Sequence, residues 1–98
     1  MIQSFRDTWL QDFYVDGKRH RRIPKTLEST LARKLDVIAA AESVSDLISP
    51  PSNRFEHLRG KLSDKCSIRI NRQYRLIFKW NEANGKAHNI YLDSHVYR

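Results

Sequence analysis

Residues 67–80 carry an alternation that leaves this chain few ways to fold. Ile68 and Ile70 alternate with Ser67, Arg69 and Asn71. Beyond a short polar turn, Leu76, Phe78 and Trp80 alternate with Arg75, Ile77 and Lys79. Successive side chains of a strand point to opposite faces, so the pattern predicts a β-hairpin. One face packs on a core; the other displays Arg69, Asn71 and Arg75. A two-residue loop at Arg72 and Gln73 would set Arg69 beside Leu76. A three-residue loop or a bulge would pair Ile70 with Leu76 and Asn71 with Arg75. The second register is expected, because a one-residue slip carries the apolar set to the wrong face. A sheet face bearing two arginines and an asparagine suits an anion, above all nucleic-acid phosphate.

The segments around the hairpin supply what it must pack against. Residues 2–5 alternate briefly and suit an edge strand. Asp7 or Thr8 can cap a helix in which Trp9, Leu10, Phe13 and Tyr14 share one face, with Gly17 as its stop. Residues 18–25 are the most basic run and read as a loop. The clearest helix covers residues 25–41, where Leu27, Leu31, Leu35 and Ile38 form an apolar stripe. Residues 43–48 predict a short helix capped by Ser43, with Asp46 at the capping-box position. Pro50 and Pro51 end it. Residues 54–59 alternate as a strand that puts Glu56 and His57 on opposite faces. Asn84-Gly85 marks a second hairpin turn, and residues 87–95 the last strand, in which Asn89, Tyr91, Asp93 and His95 share one parity. The expected architecture is α+β: N-terminal helices packed on one face of a twisted antiparallel β-sheet, the other face open to a ligand.

Composition limits the partners. The length of 98 residues predicts one domain over residues 1–98. Lys and Arg total 18 against 11 acidic residues, a formal net charge of +7, which favours an acidic partner. No apolar run of membrane-spanning length, basic amphipathic helix or lipidation motif points to a membrane, and no export signal opens the sequence, so the cytoplasm is expected. The lone Cys66 cannot close an internal disulfide, and His20, His57, His88 and His95 lack a metal-ligand spacing such as HExxH. Neither a metal nor another cofactor is expected.

Several segments together resemble the HigB family of bacterial toxins, within the RelE/ParE superfamily. The opening Met1-Ile-Gln-Ser-Phe5 is similar to the family's start, and Gly17 followed by basic residues matches the end of its first helix. Residues 47–60, LISPPSNRFEHLRG, resemble its "L…PPGNRLExLxG" segment. Residues 67–80, SIRINRQYRLIFKW, resemble its "SIRIN-x-QWR-[LI]-x-F-x-W" hairpin, and residues 90–95, IYLDSH, its terminal "I-x-[LV]-D-Y-H". Their order and spacing are more specific than any one of them. The resemblance implies a small RelE-like fold and a type II toxin that cuts mRNA on the ribosome. It also implies a HigA-like antitoxin with a helix-turn-helix domain, through which the complex would bind operator DNA. Ser94 departs from the family's tyrosine, and some members have histidine where this chain has Glu56. A ParE-like toxin acting on a protein such as DNA gyrase, or a weakened homologue serving as an antitoxin-binding co-repressor, are the alternatives.

RNA cleavage by its own 2′-hydroxyl needs a base, an acid and a cation on the phosphate, and side chains can supply all three. Arg75 is the first candidate for the phosphate, since its planar fork can engage two oxygens. His95 is the natural proton shuttle, and Asp93, on the same strand face, can orient it or act as base. For the remaining group the resemblance favours Glu56, whereas local chemistry favours His57; only one can face the site. Arg69, Asn71 and Arg72 in the hairpin, His57 in the strand before it, and Lys18, Arg19, Arg21 and Arg22 in the basic loop, are candidate phosphate contacts. Tyr91 and Tyr97 are candidate stacking rings.

Overall fold

A computed structural model describes residues 1–94 of the chain; His95 and Tyr97 lie outside the described residues. The order of elements is α1 (Thr8–Asp16), α2 (Glu28–Ala40), α3 (Val44–Ile48), β1 (Glu56–His57), β2 (Cys66–Arg69), β3 (Tyr74–Asn81) and β4 (Lys86–Ser94). The strands form one antiparallel meander in the order β1-β2-β3-β4. The architecture is α+β, as the alternation and the helical stripe require. Among the described residues, no helix is long and apolar enough to cross a membrane.

Each helix ends where its sequence dictates. Gly17 adopts φ 69° and its N–H returns to Phe13 O, closing α1. Asp7 is the N-cap residue of α1 but makes no side-chain cap bond; its carboxylate pairs instead with Arg6, 2.9 Å away. A 3₁₀ turn at Lys25–Leu27 leads into α2, with the Leu27 N–H on Pro24 O, so the α-helix starts later than the stripe suggests. Asp46 accepts from the backbone N–H groups of Glu42 and Ser43, holding the start of α3.

The core lies between the helices and one sheet face. Leu10 and Phe13 of α1 and Leu31, Leu35 and Ile38 of α2 meet Ile68, Leu76, Phe78, Ala87 and Ile90 of the sheet. Trp9 packs at the margin and stacks on His20 at 4.9 Å between centroids, fastening the basic loop to α1. The N-terminal segment runs parallel to β4 through bridges Ile2–Ala87 and Phe5–Ile90, covering the outer edge of that strand.

The hairpin register differs from the expected one by two residues. Ile68 pairs with Leu76 and Arg69 with Arg75, so Ile70 closes on Tyr74 across a three-residue loop. The cause is Asn71. Its side-chain oxygen accepts from the N–H groups of Gln73 and Tyr74, which makes it a turn residue and removes it from the strand. A two-residue slip preserves which side chains share a face, so Arg69 and Arg75 still project together. The parity of β4 also changes along its length. Asn89 has φ 58° at an irregularity in the β3–β4 pairing, and its N–H bonds Ser4 Oγ. Ala87 and Ile90 thereby both reach the core although three residues apart.

Cys66 pairs with Phe78 on the core side, where burial pushes its thiol up to about 12. The thiolate is the reactive form. The folded protein is therefore expected to resist iodoacetamide at pH 8 and to be alkylated once unfolded in urea, read by mass spectrometry. Rapid labelling of the folded chain would show that β2 opens freely.

Candidate active site and nucleic-acid interface

The open face of the sheet is organised in rows. Across the strands, Glu56 faces Ser67, Ser67 faces Ile77, and Ile77 faces Tyr91; in the next row Arg69 faces Arg75 and Arg75 faces Asp93. Directly opposite residues on neighbouring strands stand within side-chain reach of each other. The alternation thus brings Glu56, Arg69, Arg75, Tyr91 and Asp93 onto one face, opposite the helices. Ser67 is wholly buried in the first row, and its Oγ has no hydrogen-bond partner among the described residues.

Arg75 stands at the centre. Its guanidinium donates to Glu56 Oε1 at 3.1 Å and to the Arg54 carbonyl at 3.4 Å. The Arg75 side chain is 11% exposed and that of Glu56 55%, so the pair is fixed from the protein side and open from the Glu56 side. The hydrogen bond from Arg75 holds the Glu56 carboxyl below its usual range. The carboxylate is ionised at neutral pH. What the pair adds to stability is present above the ordinary carboxylate pKa and is lost as pH falls through the depressed value.

Around the pair lies a cleft of about 410 Å³ lined by Arg54, Glu56, Arg69, Asn71, Arg72 and Arg75. The Arg69 Nε–H donates to Asn71 O, steadying the hairpin loop beside it. Asn71 lines the cleft, but its side-chain oxygen is committed to the turn. Arg54 is a lining residue that is not among the candidates the sequence singles out. It shares the parity of Glu56, which was the available signal. What alternation could not show is its backbone: Arg54 sits at φ 44°, the left-handed region, at the end of the turn opened by Pro51. There its carbonyl reaches Arg75.

Other candidates are placed elsewhere. His57 pairs with Cys66, on the opposite parity to Glu56, and meets the Phe55 ring edge-on at 5.0 Å. Of the two neighbours, Glu56 faces the cleft and His57 does not. Tyr91 lies on the open face with the Arg6 guanidinium 3.8 Å above its ring centroid. Burial raises its phenol, the Arg6 charge opposing that shift. The basic loop does not join the Arg75 cleft. Arg21 and Arg22 line a separate cleft of about 360 Å³ with Arg6, Trp9, Tyr74 and Ser94. Tyr74 and Ser94 pair with each other one position from Arg75 and Asp93, hence on the helix side of the sheet. Arg19 pairs with Glu28 at 3.6 Å, and Lys18 is exposed beyond α1. Ser94, where the resembling family has tyrosine, therefore belongs to this second cleft and not to the row of Arg75.

A helix-backed antiparallel meander with arginines gathered on its open face is the arrangement of a small RelE-like toxin. The family profile described as "RelE-like toxin of type II toxin-antitoxin system HigB" matches residues 3–95, and the chain belongs to that family. Among its relatives, Toxin HigB-1 of Vibrio cholerae serotype O1 is 56% identical over 97 residues, covering 99% of this chain and 100% of that one. An uncharacterized protein of Haemophilus influenzae is 48% identical over 95 residues, covering 97% of this chain and 92% of its own length. Membership of a type II toxin–antitoxin system implies a cognate antitoxin.

Proposed function

We propose that this toxin is a ribosome-dependent mRNA endoribonuclease, working in the cytoplasm as a single domain over residues 1–98 and neutralised by a HigA-like helix-turn-helix antitoxin. The observation that carries the reading is Arg75: a guanidinium oriented by Glu56 and the Arg54 carbonyl, in a basic cleft, with Asp93 as its cross-strand neighbour. A fork aimed in this way fits two non-bridging oxygens of a phosphodiester. The base removes the 2′-hydroxyl proton, O2′ bonds to phosphorus, and the P–O5′ bond breaks as the acid protonates the departing oxygen. The products are a 2′,3′-cyclic phosphate and a 5′-hydroxyl. No metal enters these steps.

Glu56 is ionised while Arg75 holds it, so it can accept a proton and not donate one. We assign the acid to His95, two residues beyond Asp93 in the sequence, and give Asp93 the role of its support. Arg69, Asn71, Arg72 and Tyr91 border the bound nucleotide. The cleft of Arg21 and Arg22 faces the other way, and with Lys18 and Arg19 offers a second basic surface. Two such surfaces suit a protein lodged between mRNA and ribosomal RNA. Operator DNA would be bound through the antitoxin, and no membrane is involved.

Mapping RNA 5′ ends after brief induction tests the reading. Wild-type toxin is expected to give new ends confined to translated frames, suppressed when the antitoxin is co-expressed. His95→Ala and Asp93→Asn are expected to lower the yield of ends by about 10²-fold or more, as loss of a general acid or its support does. Unchanged RNA ends accompanied by DNA damage would replace this reading with a gyrase-directed toxin.

A further inference from the structure

The Arg75 cleft adjoins a second one, with which it shares three lining residues. A cavity of about 470 Å³ is lined by Thr30, Arg33 and Lys34 of α2, by Ser52 and Ile70, and by the same Arg54, Arg69 and Asn71 that line the first cleft. The two form one groove from the open sheet face to the exposed side of α2. Its cations are Arg33, Lys34, Arg54, Arg69, Arg72 and Arg75; among the described residues lining it, Glu56 is the one carboxylate, and Arg75 already engages it. Among the described residues, the groove has no aromatic lining residue and two hydroxyls, Thr30 and Ser52. Such a wall bonds phosphates and ribose hydroxyls and offers few apolar surfaces for bases.

Two of these cations are built into place. Lys34 Nζ donates to Asn53 Oδ1 at 2.8 Å, and Asn53, wholly buried, donates in turn to the Leu47 carbonyl at 3.1 Å. An ammonium has three donors, so Lys34 keeps two for a ligand. Arg54, at the junction of the two clefts, is held in a left-handed conformation that a non-glycine residue adopts at a cost. The Asn53–Arg54 turn thus fixes a lysine from α2 and an arginine at the mouth of the Arg75 cleft together.

We infer that this groove is a phosphate-tracking subsite for the same RNA strand whose scissile phosphate lies at Arg75, with Arg54 and Arg33 binding phosphates further along the strand. The inference rests on the nuclease reading and adds to it the direction in which the strand leaves the site. Because its contacts are chiefly to backbone, the subsite is expected to hold different sequences with similar affinity.

Full-length toxin titrated with 2′-O-methyl oligouridylates of two, four and six nucleotides tests this, since those probes lack the attacking hydroxyl. Arg54→Asn removes the charge with a residue that tolerates a left-handed backbone, and Arg33→Gln removes one from the exposed face of α2. Each is expected to weaken the hexanucleotide about tenfold and to flatten its salt dependence by roughly 0.7 in slope, with a loss that shrinks as the probe shortens. Oligoadenylates should show the same losses. Equal losses at all lengths, no loss for the hexanucleotide, or losses confined to one base would overturn the subsite. So would displacement from the groove by an acidic peptide alone, which would make it a protein-docking face. The 5′-end map separates the two readings. Translated-frame cuts without length-dependent losses leave the nuclease and remove the groove. Length-dependent losses without cuts leave an RNA-binding groove and remove the nuclease.

Discussion

Arg75→Ala is expected to abolish growth arrest and to lower the yield of toxin-dependent RNA ends by about 10²–10³-fold, the usual cost of deleting one oriented donor to transition-state charge. Arg75→Lys should recover little of it, because an ammonium is a point charge without the bidentate fork. The fold should survive. The Glu56 partner is more than half exposed, and such pairs add at most about 1 kcal/mol. A thermal midpoint within a few degrees of wild type would therefore accompany the loss of activity. Glu56 supplies an independent readout. With its hydrogen-bond donor gone, its carboxyl should return upward toward the ordinary range, a shift visible in an NMR titration. Full toxicity in a folded Arg75→Ala protein would remove Arg75 from the site.

Phe78→Ala should have the largest effect on stability. Phe78 is wholly buried at the middle of β3, between β2 and β4, and faces the helices. Truncating a buried phenylalanine costs about 3–5 kcal/mol in lost transfer energy and residual cavity. A domain of this size has only about 5–15 kcal/mol in total. The thermal midpoint, followed by circular dichroism, is expected to fall by more than about 12 °C. Phe78→Leu should lose distinctly less, since it keeps most of the apolar volume. A fall of only a few degrees for the alanine variant would mean that β3 is not the spine of the core.

Much of the candidate site's face is legible in the sequence because strand parity is local. Alternation alone separated Arg69 and Arg75 from Ile68, Leu76 and Phe78, and it put Tyr91 with Asp93 on one side of the last strand. The observed register, two residues from the expected one, keeps the same faces, since only an odd slip exchanges them. The helical stripe of Leu27, Leu31, Leu35 and Ile38 was legible for the same kind of reason. The basic loop was not. Composition marked Lys18, Arg19, Arg21 and Arg22 as cations but carries no information on which side of the sheet a loop comes to rest. The stacking of His20 on Trp9 decides that, and it sets the loop on the helix side, away from Arg75.

The sequence by itself determined the α+β class, the two sheet faces and the placing of Arg75 on the open one, because each follows from a period of two or of 3.6 residues along the chain. Tertiary structure alone decided what surrounds Arg75. Glu56 and the Arg54 carbonyl reach it across the sheet, Asn53 ties Lys34 of α2 to the same turn, and the bulge at Asn89 resets the parity of β4. Each of these joins residues far apart in the chain, and their meeting depends on how helices, turn and strands pack.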